Sequence, residues 1–72
     1  MKKLKKIKIK VNGKIKTIVD KLSLHKLIID LKIPIEKVAI EFNKEIVNKK
    51  KLKRIKLQKN DIIEIVHFIG GG

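Results

Sequence analysis

The chain ends in three consecutive glycines, Gly70, Gly71 and Gly72, directly after an apolar stretch with the alternation of a β-strand. Glycine loses the most backbone freedom on ordering and has no side chain to recover that cost, so a purely structural terminus gains nothing from three of them. A terminus that must enter a narrow active site does gain, because other groups can approach a backbone without Cβ atoms closely. The reactive group of such a tail is the carboxylate of Gly72. The alternative is a frayed end, which is common at chain termini.

Other residue types that could do chemistry are few and scattered. The chain has no cysteine, which excludes a thiolate nucleophile, a disulfide framework and a cysteine-based zinc site. Its histidines, His25 and His67, lack a matched carboxylate arrangement, so we expect His25 at the surface and His67 at a boundary of the last strand. Nothing assembles a nucleophile, a base and an orienting group. We therefore expect no catalytic residue, no metal site and no bound cofactor, in a protein that is not itself an enzyme.

Length and hydropathy predict one small domain. Of 72 residues, we assign 1–69 to the folded domain and 70–72 to a flexible glycine tail. A chain this short buries only about 60% of its unfolded surface, which leaves little room for a catalytic cleft. No apolar run approaches the length of a membrane span, and lysines interrupt every candidate signal-peptide core. We expect a soluble, cytoplasmic protein without a membrane partner.

The charge balance raises a second class of function. Twenty lysines and arginines stand against seven acidic residues, for a formal net charge of +13, and such a balance is typical of proteins that bind polyanions. However, Arg54 is the only arginine, and bidentate phosphate contacts favour arginine. Phe42 and Phe68 are the only aromatic residues, which offers no platform for stacked bases. On charge alone, a basic RNA-binding module stays an alternative function. We do not expect nucleic acid to be the main partner.

The elements that must position the tail begin with a hairpin. Residues 6–11 alternate lysine with apolar residues, which predicts a half-buried strand, and Asn12-Gly13 predicts the turn after it. A two-residue turn sets Ile9 opposite a lysine and mixes the two faces. A three-residue loop with Gly13 as a bulge sets Ile9 opposite Ile15, so we favour the bulged loop and place Ile15 in the core.

Further along, Ser23 is expected to cap a helix with one buried stripe, formed by Leu24, Leu27, Ile28 and Leu31. Strands are predicted at 38–42, 45–47 and 62–68, and the basic residues 48–56 are predicted to form an exposed loop with room for one helical turn. Glu41 and Glu64 are expected to face lysines across the sheet. One helix packed on a mixed four- to five-stranded sheet buries these stripes economically, which predicts an α+β protein of the β-grasp (ubiquitin-like) class.

Two stretches carry a family resemblance. Residues 38–47, Val-Ala-Ile-Glu-Phe-Asn-Lys-Glu-Ile-Val, resemble the VAVExNxEIV segment of the ThiS family, the sulfur carriers of thiamine biosynthesis. Residues 61–72, Asp-Ile-Ile-Glu-Ile-Val-His-Phe-Ile-Gly-Gly-Gly, resemble that family's DxIEIVxFVGGG ending. Molybdopterin synthase small subunits share the fold and the Gly-Gly terminus, but they usually carry a Pro-Pro segment that this chain lacks. A carrier of another sulfur pathway therefore stays an alternative.

The resemblance implies a mechanism and partners. An E1-like adenylating enzyme uses MgATP to convert the Gly72 carboxylate into an acyl adenylate, and sulfur from a donor such as a cysteine desulfurase then replaces AMP. The resulting thiocarboxylate is consumed by thiazole synthase. Gly70 and Gly71 are expected to thread into the partner's active site. By their positions, Val66, Phe68 and Ile69 are expected to dock the partner.

Overall fold

The computed structural model describes residues 4–68, which fold around a sheet with one strand at its centre. The strands are β1 (Lys6–Val11), β2 (Lys14–Val19), β3 (Val38–Phe42), β4 (Glu45–Ile46) and β5 (Ile62–His67); the helix is α1 (Leu24–Asp30), and two 3₁₀ helices span Ile35–Lys37 and Lys49–Arg54. The sheet order is β2-β1-β5-β3-β4, with β1 and β5 parallel and the other pairs antiparallel. This is the predicted β-grasp arrangement. Ile69 and the glycine tail lie outside the described residues.

The helix begins as the sequence predicts, but it ends before Leu31, which is half-buried and not part of the helical stripe. The Ser23 hydroxyl accepts a hydrogen bond from the Lys26 backbone N–H at 3.0 Å, which satisfies one of the free donors of the first turn. The helix ends at Asp30, and Lys32 then adopts a left-handed backbone conformation with φ of 59°. The buried helix residues join one core with the inner face of the sheet: Ile7, Ile9, Ile18, Leu24, Leu27, Ile28, Val38, Ile40, Leu52, Leu57, Ile63 and Ile65.

The predicted register of the hairpin is wrong. Val11 pairs with Lys14 across a two-residue turn, and both turn residues have positive φ, 51° for Asn12 and 81° for Gly13. Such a turn matches the right-handed twist of the strands, and asparagine followed by glycine tolerates its left-handed backbone. Ile15 consequently points away from the core and is 67% exposed. Ile18, opposite Ile7, takes the buried place instead.

The basic segment before β5 is also more buried than predicted. Leu52 lies in the second 3₁₀ helix and is 1% exposed, and Leu57 is fully buried. Backbone hydrogen bonds anchor this segment beside the start of α1, from the Leu57 N–H to the Leu22 carbonyl at 2.8 Å and from the Leu24 N–H to the Ile55 carbonyl at 2.9 Å. The segment therefore closes one end of the core, with its lysines on the outside.

The expectation that Glu41 and Glu64 face lysines across the sheet is wrong. Glu41 lies directly opposite Glu64 in the β3–β5 ladder, so these carboxylates do not face lysines. On the β1–β2 hairpin, Lys8 pairs with Thr17 and Lys10 pairs with Ile15. No lysine of this hairpin therefore lies directly opposite another lysine.

Candidate functional site

β5 carries the chain to the tail along a fixed course. The strand lies between β1 and β3, and its inner residues Ile63 and Ile65 are buried in the core. By alternation Val66 lies on the opposite, open face of the sheet, where 58% of its surface is exposed. Two packed neighbours and a buried side thus set the direction in which β5 leaves the domain.

Two asparagines complete the hydrogen bonding of β5. Asn12 and Asn43 both have left-handed backbones, with φ of 51° and 50°, and both side chains reach β5 from the turns that hold them. The Asn12 Oδ1 atom accepts from the Ile65 N–H at 2.7 Å, and the Asn43 Oδ1 atom accepts from the Ile62 N–H at 2.8 Å. Asn43 also donates from Nδ2 to the Asp61 Oδ1 atom at 3.1 Å. These bonds hold β5, the strand that precedes the tail, from its β1 side and from its β3 side.

The open face beside Val66 is mixed in character. Val66 lies opposite Ala39, and Glu41 lies opposite both Glu64 and Ile46, so these five residues occupy adjacent positions on β5, β3 and β4. Ile46 is 70% exposed, which gives the patch two large apolar side chains in contact with solvent. We call Ala39, Glu41, Ile46, Glu64 and Val66 the open-face patch. Its combination of exposed apolar groups and carboxylates is suited to a protein partner.

Phe68 marks the root of the tail. Its backbone N–H donates to the Lys37 carbonyl at 2.9 Å, one residue beyond the end of β5. The ring is 58% exposed, and the Lys49 ammonium nitrogen lies 5.3 Å from its centroid. Val66 and Phe68 are thus both accessible to a partner, as docking requires, and their docking role stays a prediction. The roles of Ile69, Gly70, Gly71 and Gly72 also stay predictions, because these residues lie outside the described part of the chain.

Lys49 is the residue of this region that the sequence did not single out. It stands in a run of lysines from 49 to 51, where residue type gives no reason to prefer one over another. The fold brings the Lys49 ammonium nitrogen to 5.3 Å from the Phe68 ring centroid, whereas Lys50 is exposed. A contact set by tertiary structure has no local sequence signal.

The histidines do not form a site. His25 is half-buried in the first turn of α1, and His67 is exposed at the end of β5. Between residues 4 and 68, no three histidines or acidic residues are grouped so that they could hold a metal ion. Nor does this part of the chain contain a helix long and apolar enough to cross a membrane.

A group of lysines surrounds one depression in the surface. A shallow depression at the start of β1 is bordered by Lys5, Lys6, Lys8, Lys21 and Lys59, together with the single carboxylate of Asp20. In residues 4–68 the structure shows one ion pair, between Lys26 and Asp30 at 3.0 Å on the exposed side of α1. No aromatic residue borders the depression. These five lysines therefore cluster at the start of β1, whereas Glu41 and Glu64 lie on β3 and β5.

Comparison with known proteins identifies the family. The family model described as the ThiS family matches residues 9–72, from β1 through the last glycine. The chain belongs to the ThiS family. The crystal structure of the thiamine biosynthesis protein ThiS from Geobacter metallireducens superimposes with a TM-score of 0.81 and 29% sequence identity, covering 92% of this chain and 100% of that one.

Two curated relatives match over parts of their own lengths. The sulfur carrier protein ThiS of Bacillus subtilis is 51% identical over 35 residues, which is 49% of this chain and 53% of that protein. A thiazole synthase of Magnetococcus marinus is 41% identical over 66 residues, which is 92% of this chain and 20% of that protein. The chain thus spans about half of one curated relative and a smaller share of the other.

Proposed function

We propose that this chain is a sulfur carrier of thiamine biosynthesis, in which the C-terminal Gly72 is converted to a thiocarboxylate. The observation that carries the proposal is the family match over residues 9–72, which includes the three glycines. The fold adds physical support, because the glycines follow a central strand whose direction is fixed by two neighbouring strands. The chain supplies a docking surface and a reactive end, and the catalytic groups belong to its partners.

The chemistry requires activation because a carboxylate is a poor electrophile. A carboxylate oxygen of Gly72 attacks the α-phosphorus of ATP and pyrophosphate leaves, which gives the acyl adenylate. The terminal sulfur of a persulfide then attacks the acyl carbon and AMP leaves. A thiol cleaves the remaining sulfur–sulfur bond and releases the thiocarboxylate. Without side chains on Gly70 and Gly71, the tail can lie extended in a narrow channel while these steps occur.

Three partners follow from this chemistry. An E1-like adenylating enzyme binds the MgATP, a cysteine desulfurase or similar enzyme donates the sulfur, and thiazole synthase accepts it. The thiazole synthase of Magnetococcus marinus contains a stretch similar to this chain, which supports a pairing of carrier and synthase. The carrier itself is proposed to hold no cofactor, to be no enzyme, and to act in the cytoplasm with these partners.

The proposal is tested by ATP-dependent pyrophosphate release in the presence of the adenylating enzyme. The parent chain should support release, whereas a chain without Gly72 and a chain extended by one residue beyond it should not. These two variants form a matched pair, because both keep residues 4–68 and differ only at the reactive end. Equal activity of the shortened chain would rule out Gly72 as the activated residue.

The rival function is polyanion binding, favoured by the lysines around the depression at the start of β1. Binding driven by phosphates weakens steeply with salt, with log K falling by about 0.9 per duplex phosphate neutralised. Specific RNA binding tighter than about 10⁻⁸ M at physiological salt would favour this function. The absence of aromatic residues around the depression argues against it.

A further inference from the structure

Lys49 differs from the other lysines in its surroundings. Among the lysines of residues 4–68, only Lys16 and Lys49 are half-buried, and the rest are exposed. The Lys49 ammonium nitrogen lies 5.3 Å from the Phe68 ring centroid, within the ~6 Å over which a cation is attracted to an aromatic face. The next residue, Lys50, is exposed. One member of a solvated basic run therefore contacts the residue at the root of the tail.

Phe68 is consequently held in two ways. Its backbone N–H donates to the Lys37 carbonyl at 2.9 Å, and its ring lies under the Lys49 ammonium group. The first contact fixes the path of the main chain just beyond β5. The second restricts the side-chain rotamer, which the backbone bond alone leaves free. Both contacts come from segments on the β3 side of the sheet, ahead of β3 and after β4.

We propose that Lys49 is a positioning residue, which holds the Phe68 ring in the orientation that the adenylating partner binds. This inference rests on the proposed function and names the contact that prepares its docking site. A side chain that is ordered before binding loses less conformational freedom in the complex, so preorganisation increases affinity. Because the ammonium group covers part of the ring, the partner contacts the remaining ring surface with an uncharged apolar group. A second cation there would be repelled by Lys49.

The contact itself is tested in the free protein by NMR. The protons on the Lys49 Cε atom should be shifted upfield by the ring current of Phe68, and Phe68→Leu should return them to the position seen for Lys50. This measurement needs no partner. Lys49 protons that match those of Lys50 in the parent protein would overturn the inference.

The role is tested by the kinetics of adenylation with the parent chain as substrate. Lys49→Ala should raise KM by about two- to fivefold, the range expected for an exposed cation–π contact, with kcat unchanged. Lys49→Arg should restore the parent KM, because a guanidinium group also lies favourably over an aromatic ring. Lys50→Ala is the matched control and should behave as the parent, since it removes the same charge one residue away.

A double-substitution cycle shows whether Lys49 acts through Phe68. In a Phe68→Leu background, Lys49→Ala should have no further effect on KM. An equal effect in both backgrounds, a failed rescue by arginine, or an equal effect of Lys50→Ala would overturn the role of Lys49 and leave the proposed function intact. A parent chain that is never adenylated would instead overturn the proposed function, and the role of Lys49 with it.

Discussion

Asn12 has two structural roles, one for its backbone and one for its side chain. Its left-handed backbone, with φ of 51°, closes the β1–β2 turn, and its side chain accepts a hydrogen bond from the partly buried Ile65 N–H at 2.7 Å. Because β1 ends at Val11, this side chain continues the bonding of β5 beyond the parallel ladder. The same residue therefore sets the hairpin register and secures the strand that leads to the tail.

The two tasks can be separated by substitution. Asn12→Gly keeps the left-handed backbone and loses the acceptor, so the free energy of unfolding should fall by about 1–3 kcal/mol for the unsatisfied N–H. Asn12→Asp keeps both the acceptor and tolerance of the left-handed region and should stay close to the parent. Denaturant unfolding measures both. If Asn12→Gly is as stable as the parent, the bond to Ile65 contributes nothing.

Phe68 supplies the second prediction at this scale. Phe68 is 58% exposed beside the open-face patch, and an aromatic anchor buried on binding commonly carries more than ~1 kcal/mol of an interface. Phe68→Ala should therefore raise the dissociation rate of the adenylating partner at least about fivefold. Ile15→Ala is the control, because Ile15 is similarly exposed but lies on the distant β2 strand. Stopped-flow binding in which both variants dissociate alike would place the interface elsewhere.

Among the elements, β5 and the segment before it determine where the tail begins. The segment around residues 52–57 covers the start of α1 and places Leu52 and Leu57 in the core. The turn at residues 58–61 then starts β5, with the Asp61 Oδ2 atom accepting from the Gln58 N–H at 2.7 Å. The segment therefore both closes the core and leads the chain into its central strand.

Because Leu52 is buried although its neighbours are lysines, truncating its side chain should strongly lower the free energy of unfolding. Leu52→Ala should lower the free energy of unfolding by about 2–5 kcal/mol, because it leaves a cavity in a packed core. The adjacent Lys53→Ala should change it by less than about 0.5 kcal/mol, since Lys53 is exposed. Thermal or denaturant unfolding of the pair checks the placement. Similar stabilities would mean that Leu52 is not buried.

The elements also show how far the sequence predicts the fold. Periodicity identifies α1, β3 and β5, because each carries its apolar residues on one face, and the mixed sheet follows from their order. The register of the hairpin was not predictable from that pattern, since the tight Asn12-Gly13 turn outweighed the burial of Ile15. The burial of Leu52 and Leu57 is not predictable from the sequence, because both residues stand next to lysines. Only the folded chain brings them into the core. Composition predicts the glycine tail, which lies outside the described residues, whereas no feature of the sequence predicts the contact of Lys49 with Phe68.

For the molecule as a whole, charge is distributed unevenly. Lysines border the depression at the start of β1, and the carboxylates of Glu41 and Glu64 lie on the open-face patch. Lys8 and Lys10 lie on the open face of β1, and Lys8 also borders the depression. Lysines at the edge of an interface act mainly on the rate of association, because long-range attraction steers the encounter with an acidic partner.

The steering is tested by charge reversal on the open face. Lys8→Glu combined with Lys10→Glu should slow association with the adenylating partner and flatten its salt dependence, while the dissociation rate stays nearly unchanged. Lys32→Glu combined with Lys50→Glu is the matched control, because it changes net charge equally at exposed sites off the open face. If both pairs slow association alike, net charge rather than the face would account for the effect.

The central claim concerns the state of Gly72, and the mass of the intact protein tests it most directly. After incubation with the adenylating enzyme, MgATP and a persulfide donor, the mass should rise by about 16 Da, the excess of sulfur over oxygen, with fragmentation placing the change on Gly72. Subsequent incubation with thiazole synthase and its substrates should return the original mass. An unchanged mass under these conditions, or the same increase in a chain without Gly72, would contradict the assignment as a sulfur carrier.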